Sequence, residues 1–419
     1  MDVRLSILPL VNPIFPQRHI YSTAKNRKFN INIIHPAGSV QVLFMVICMI
    51  VEALSFTFVY LLPQRKPLLT LLFAFLTALL ISLFSIPSII GVSNKLELFD
   101  EPGERKMHTS KIPFLGGLAI FAATLISFII WAIPYFEQNQ LIILASLCIL
   151  FFMGLRDDIL PIKPVIKILG QMAAAFLVIS FCGLYISGLH GLFGIHTVSP
   201  VIAYVISTLV ILFLINSFNL IDGLDGLAAG LAFIAALSFT YLFFCYEEYF
   251  MAVLSCSLAG ALLGFLVYNF YPAKIFMGDT GSLTVGFILS ILAIRFVELN
   301  KATVVEDLFN QRSAPVIVLA ILIIPVVDAI RVFFLRLYKK RSPFSADRLH
   351  IHHKLLDLGF SERQVALVLY IVNLLYIFLA WFFRFEDSTF MFYVLIISAL
   401  VMTQLPHLIL KLRNARQFK

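Results

Sequence analysis

Charge is the first thing this chain lacks. Asp, Glu, Lys and Arg make up 13% of its 419 residues, roughly half their share in a soluble globular domain. A solvated fold with a charged exterior is therefore excluded for most of the chain. Cysteine is also rare. Its 5 copies (Cys48, Cys148, Cys182, Cys245 and Cys256) all fall in apolar runs and none forms a CxxC pair. That argues against a disulfide framework or a zinc ribbon, and leaves the thiols as small packing residues. No cleavable leader is expected either. The basic "KNRK" at Lys25 to Lys28 is not followed closely by a short apolar region with a small-residue cleavage site. The net charge of +8 comes with no nucleic-acid motif, so no nucleic-acid partner is expected.

What is present is apolar sequence, 61% of the chain, broken into stretches of about 17–25 residues, the length a helix needs to cross a bilayer. The expected fold is an all-α, polytopic transmembrane bundle whose partner is the lipid bilayer. Spans are predicted near 67–91, 114–134, 139–155, 165–182, 199–216, 226–245, 249–268, 283–298, 314–337, 364–383 and 388–410. These are eleven core spans. An extra N-terminal helix is expected near 40–61, interrupted by Glu52. The expected domains are a polar, poorly ordered extension over 1–39, a transmembrane domain over 40–410 and a basic tail over 411–419.

Positive charge predicts orientation. One set of alternate loops holds Lys95, Arg105, Lys106, Lys111, Arg156, Lys163, Lys167, Lys274, Lys339, Lys340, Arg341, Arg348, Lys354 and Arg363. The opposite set holds Arg65, Lys66, Lys301, Arg312 and Arg384. The first set is assigned to the cytoplasm. Every polar cluster of chemical interest falls on that same side, and ionisable groups at a membrane edge are candidates for function.

Four clusters stand out. In "GLRDDIL", Asp157 and Asp158 are adjacent acids: a solvated helix end, or a metal or general-base site if a cation is near. Pro161 and Pro164 make a turn that can fold Lys167 back toward them. In "NSFNLIDGLDGLAAG", Asn219, Asp222 and Asp225 recur every third residue. Gly223 and Gly226 favour a broken helix lined with oxygens, against the plainer reading of Asp222 or Asp225 as a helix N-cap. In "KIFMGDTGS", Asp279 stands between Gly278 and Gly281 at a helix start, where an anion or a hard cation bridging to phosphate fits. Phe276, three residues earlier, can stack on a planar base or simply be core. In "RLHIHH", Arg348, His350, His352 and His353 lie among Lys354 and Arg341. Such donors suit a pyrophosphate better than zinc, or form a basic loop obeying the positive-inside rule. Together these are parts for phosphoryl-group chemistry with a lipid partner.

With "RKMHTSKIPFLGG", "GLRDDILPIKPVIKILGQ", "NSFNLIDGLDGLAAG", "GFLVYNFYPAKIFMGDTGS" and "RLHIHHKLLDLGFSERQ" in that order from about 95 to 365, the chain resembles the polyprenyl-phosphate N-acetylhexosamine-1-phosphate transferases. The resemblance implies an enzyme that joins a UDP-N-acetylhexosamine to undecaprenyl phosphate, releasing UMP with Mg²⁺ or Mn²⁺. By motif, Asp279 and Asn219 resemble the metal-binding residues. Asp157 and Asp158 resemble the catalytic acid pair, and Lys167 the lysine that meets the nucleotide pyrophosphate. Phe276 resembles the aromatic under uracil and Gly223 a backbone contact to uridine. His350, His352 and His353 resemble the histidine loop. Asp222, Asp225 and Arg348 are expected on the substrate side.

Ile351 interrupts the histidines. The UDP-MurNAc-pentapeptide branch resembles three in a row, so the resemblance is closer to the bacterial UDP-GlcNAc branch. That branch serves O-antigen, enterobacterial common antigen or teichoic acid, in the bacterial cytoplasmic membrane, and a homodimer is an expected assembly. Two other classes compete. "MGDTG" is faintly like an intramembrane aspartyl protease, but a partner Asp and a PAL tripeptide are missing. A transporter would place its polar residues near the midplane. Asp328, beside Pro325, is the one partly buried acid that suits either rival.

Overall fold

Prolines and small residues decide where the helices begin and how closely they approach. The computed structural model describes residues 66–100, 111–136, 138–302, 313–340 and 349–417, all within one unit, Leu54–Lys419. The expected extension over 1–39 and helix near 40–61 lie outside the described residues.

The elements in chain order are α1 (Pro67–Leu96), a short strand pair β1 (Phe99–Asp100) and β2 (Ile112–Pro113), α2 (Gly116–Ala132), α3 (Leu141–Ile159), α4 (Pro164–Cys182), α5 (Pro200–Ile221), α6 (Leu227–Cys245), α7 (Tyr249–Asn269), α8 (Gly278–Ala302), α9 (Ala314–Ile321), α10 (Ile323–Tyr338), α11 (Ile351–Asp357), α12 (Glu362–Phe382) and α13 (Ser388–Gln417). Proline opens α1, α4 and α5, where its missing N–H costs nothing. The two-residue strands pair antiparallel, with Phe99 opposite Pro113. They are the departure from an all-α fold among the described residues.

Nine of the described helices are long and apolar enough to cross a membrane, or ten if the bent pair α9–α10 is one span. The chain is a multi-pass membrane protein. The eleventh expected span is α3, a 19-residue helix whose last turn carries Arg156, Asp157 and Asp158. The expected span at 314–337 is not continuous. It bends by 79° at Leu322, and Asn373 Nδ2 donates to the Ile321 carbonyl at the break at 3.2 Å, satisfying an acceptor that lipid cannot. The last helix runs on to Gln417, so the described part of the basic tail continues it.

The centre of the bundle is α7 and α8, with 83% and 89% of their apolar windows buried, against 28% in α4 and 22% in α13. Small residues explain this for α7. "AVLSCSLAGALLG" lets neighbours come close; a Cβ on Gly260 would sit 2.2 Å from the Phe75 carbonyl oxygen of α1. Interhelical hydrogen bonds tie the same region, Ser127 Oγ to the Ala74 carbonyl at 2.6 Å and to Ser257 Oγ at 3.0 Å. Around this centre, α8 packs on α3 and α5, and its N-terminus receives the polar side chains.

Candidate active site

The site is built at the start of α8. Gly278 has φ +68°, and a Cβ there would meet the Phe114 carbonyl oxygen at 2.4 Å, so only glycine fits. The helix that follows begins with Asp279 and Thr280. Their N–H groups point at Asp158 in the last turn of α3: Asp279 N donates to Oδ1 at 2.7 Å, and Thr280 N donates to Oδ2 at 3.0 Å. Thr280 Oγ1 donates to Oδ2 as well. Asp158 therefore caps α8 from another helix. The helix start was expected to offer its amides to an anion, and the anion it holds is Asp158 itself. Close approach makes this possible, since a Cβ on Gly154 of α3 would lie 2.6 Å from Thr280 Cα.

Asp157 faces differently. Its Oδ1 accepts the Ile162 N–H at 2.7 Å, which closes the turn through Pro161, and its Oδ2 lies 2.7 Å from Lys167 Nζ. The Lys167 ammonium also bonds Asp279. The lysine thus folds back over the turn and joins two carboxylates. Asn219, in the last turn of α5, donates Nδ2 to Asp279 Oδ1 at 2.6 Å and to Ser282 Oγ at 2.9 Å. Three helices place Asp157, Lys167 and Asn219 around the first turn of a fourth.

The break after Asn219 is present. Helix α5 stops at Ile221, and α6 starts after Gly226, which has φ +74°. Neither Asp222 nor Asp225 caps α6; Gly226 is its N-cap. Asp225 is buried and accepts the Ala273 N–H at 2.8 Å. Nearby, Asn269 accepts the Gly226 N–H at 3.0 Å and donates to the Ile275 carbonyl at 2.9 Å. Asp225 and Asn269 thereby fix the loop that carries Phe276, whose N–H reaches the Pro113 carbonyl at 2.7 Å.

These residues surround a cavity of about 770 Å³. Its polar wall includes Asp157, Asp158, Asn219, Asp222, Gly223, Asp225, Asp279 and His353, and Phe276 lies among them. Leu98, Phe99, Phe114, Ile159 and Leu224 supply apolar lining. Asp222 has its pKa pushed up to about 7, first by burial and then by the charges of Asp279, Asp158 and Asp225. Three further acids, Asp279, Asp158 and Asp225, thus lie close enough to add to the effect of burial. Among the described residues no three His, Cys, Asp or Glu side chains form a ready metal cage. Carboxylate and amide oxygens gather in this pocket, and such hard donors suit a cation such as Mg²⁺ held by one or two carboxylates.

The histidines divide. His353 reaches the cavity wall. His352 is buried, with Nε2 3.4 Å from where a Gly223 Cβ would stand. Burial lowers its pKa to about 3, so the ring is neutral. His350 turns away from the cavity, and its Nδ1 lies 2.7 Å from Asp328 Oδ2. Arg348 lies outside the described residues.

A profile for glycosyl transferase family 4 matches residues 140–297, the segment from α3 into α8. A probable undecaprenyl-phosphate N-acetylglucosaminyl 1-phosphate transferase of Bacillus subtilis (strain 168) is 32% identical over 308 residues, 72% of this chain and 82% of that protein. The chain belongs to the polyprenyl-phosphate N-acetylhexosamine-1-phosphate transferase family. Two further relatives span it similarly. The decaprenyl-phosphate N-acetylglucosaminephosphotransferase of Mycobacterium leprae (strain TN) is 32% identical, over 73% of this chain and 81% of that protein. The undecaprenyl-phosphate alpha-N-acetylglucosaminyl 1-phosphate transferase of Escherichia coli (strain K12) is 30% identical, over 65% and 73%.

For this transferase family member, several residues of the site escaped sequence reasoning. Thr280, Ser282 and Asn269 each bond a partner 43 or more residues away that only the fold brings near. Thr280 and Ser282 stand inside the quoted "MGDTGS", so the motif was in view and only their partners were hidden.

Proposed function

We propose that this protein transfers GlcNAc-1-phosphate from UDP-GlcNAc to undecaprenyl phosphate and releases UMP. The observation that carries the reading is that Asp157, Asn219 and Asp279 line one cavity, with Lys167 bonded to two of them. The relatives' names support N-acetylglucosamine as the sugar. The positive-inside pattern supports placing the cavity at the cytoplasmic end of the bundle, in the bacterial inner membrane.

In the proposed reaction an oxygen of the lipid phosphate attacks the β-phosphorus of UDP-GlcNAc. A P–O bond to the lipid phosphate forms, the bond between the β-phosphorus and the α–β bridging oxygen breaks, and UMP leaves with that oxygen. Asp157, held against Lys167, orients the lipid phosphate or accepts its proton. Lys167 neutralises the negative charge that grows on the departing phosphate. Asp158 keeps the first turn of α8 in place. Phe276 offers its ring to the uracil, while Gly223 and Asp222 face the uridine. Asp279 and Asn219 would hold Mg²⁺, which supplies electrostatic stabilisation to the diphosphate when bound.

A panel of UDP-sugars tests the donor. UDP-GlcNAc should support the fastest turnover, and a preference for UDP-MurNAc-pentapeptide would replace the sugar assignment. Recovery of a phospho-sugar bound covalently to the enzyme would replace direct attack by double displacement.

A further inference from the structure

The histidine cluster is held from behind by an acid. Asp328 lies in α10, past the 79° bend, and is 2% exposed. Its Oδ2 meets His350 Nδ1 at 2.7 Å, and its Oδ1 accepts the Ile351 N–H at 2.9 Å. One turn further along the same helix, Arg331 Nη1 donates to the Leu349 carbonyl at 2.8 Å. Two side chains of one helix thus grip three successive residues. Ring contacts continue from there. His350 stacks on His352 with centroids 5.5 Å apart and planes 13° apart, and His352 meets His353 at 4.3 Å. His353 and Gly223, the latter against His352, are both on the cavity wall.

An ionised carboxylate only accepts hydrogen bonds. Placed at Nδ1, it selects the Nδ1–H tautomer and sets the plane of the ring. We propose that Asp328 is a positioning residue of the transferase site: it fixes the tautomer and orientation of His350 and, through the rings of His350 and His352, sets where His353 meets the substrate. The activity side of this proposal rests on the transferase reading; the tautomer side rests on geometry alone.

Asp328→Asn separates the two. The amide has the same size and keeps an oxygen for Ile351 N–H, but presents an N–H to His350 Nδ1. In protein labelled with ¹⁵N-histidine, with His350 assigned by comparison with His350→Gln, the wild type should show the Nδ1–H tautomer. Asp328→Asn should show Nε2–H. The kcat should fall by at least about tenfold with a much smaller change in KM for the sugar nucleotide. An unchanged His350 tautomer, or wild-type kcat in Asp328→Asn, would overturn the proposal. If the variant does not fold, the wild-type spectrum alone decides: an Nε2–H His350 overturns it. A wild type without transferase activity would count against the reaction, while the tautomer would still judge the Asp328–His350 pairing.

Discussion

The Asp158 carboxylate accepts the Thr280 N–H at 3.0 Å across 122 residues of sequence. Its neighbour Asp157 instead faces Lys167. The two acids of one motif therefore have different partners, one holding the start of α8 and the other paired with Lys167, while both line the cavity.

That division predicts different losses. Asp158→Ala leaves the Asp279 and Thr280 donors without their acceptor and should destabilise the protein by about 1–3 kcal/mol, together with loss of turnover. Asp157→Asn should keep the wild-type melting temperature and lose turnover by roughly 10²-fold or more. Melting curves in detergent alongside kcat check this. Equal melting temperatures for both variants would contradict it.

Lys167 joins Asp157 and Asp279 and is proposed to meet the nucleotide diphosphate. Lys167→Ala should raise the KM for the sugar nucleotide by roughly tenfold or more. An unchanged KM would remove it from the binding site.

A cation at Asp279 and Asn219 can be checked without turnover. Mg²⁺ should raise the melting temperature of the wild type and should not do so for Asp279→Asn. Chelation should abolish turnover, and added Mg²⁺ should restore it. A Mg²⁺ shift of equal size in both proteins would place the ion elsewhere.

His352 gives a pH prediction. Burial lowers its pKa to about 3, against about 6.5 for a free histidine. The unfolded chain therefore takes up a proton between these values that the folded chain refuses. Stability is unaffected above about pH 6.5 and falls as the pH drops toward 3. His352→Gln should flatten the fall in melting temperature between pH 7.5 and 5. The same slope in both proteins would contradict the buried, neutral ring.

The spans were legible because an apolar run of bilayer length has one physical use. The fold-back of Lys167 was legible from Pro161 and Pro164, which force a turn within nine residues of Asp158. The bend at Leu322 was not, because Pro315 and Pro325 sit in apolar sequence that also suits an unbroken helix. Asp328 looked isolated for the same kind of reason. Its partner His350 comes 22 residues later, and only the broken span turns the acid toward it. Asp225 was read as a nucleotide contact or a cap because both need an acid beside glycine. Its hydrogen bond to Ala273 N–H depends on a loop 48 residues on. Charge clustering thus revealed where the chemistry gathers, while the partner of each acid required the contacts.

The measurement that bears most directly on the whole account is UMP release by the purified protein from UDP-GlcNAc, undecaprenyl phosphate and Mg²⁺. The account predicts one UMP for each undecaprenyl-diphospho-GlcNAc formed, and none when the lipid phosphate or Mg²⁺ is omitted. No UMP with all three present, or UMP release that ignores the lipid, would contradict it.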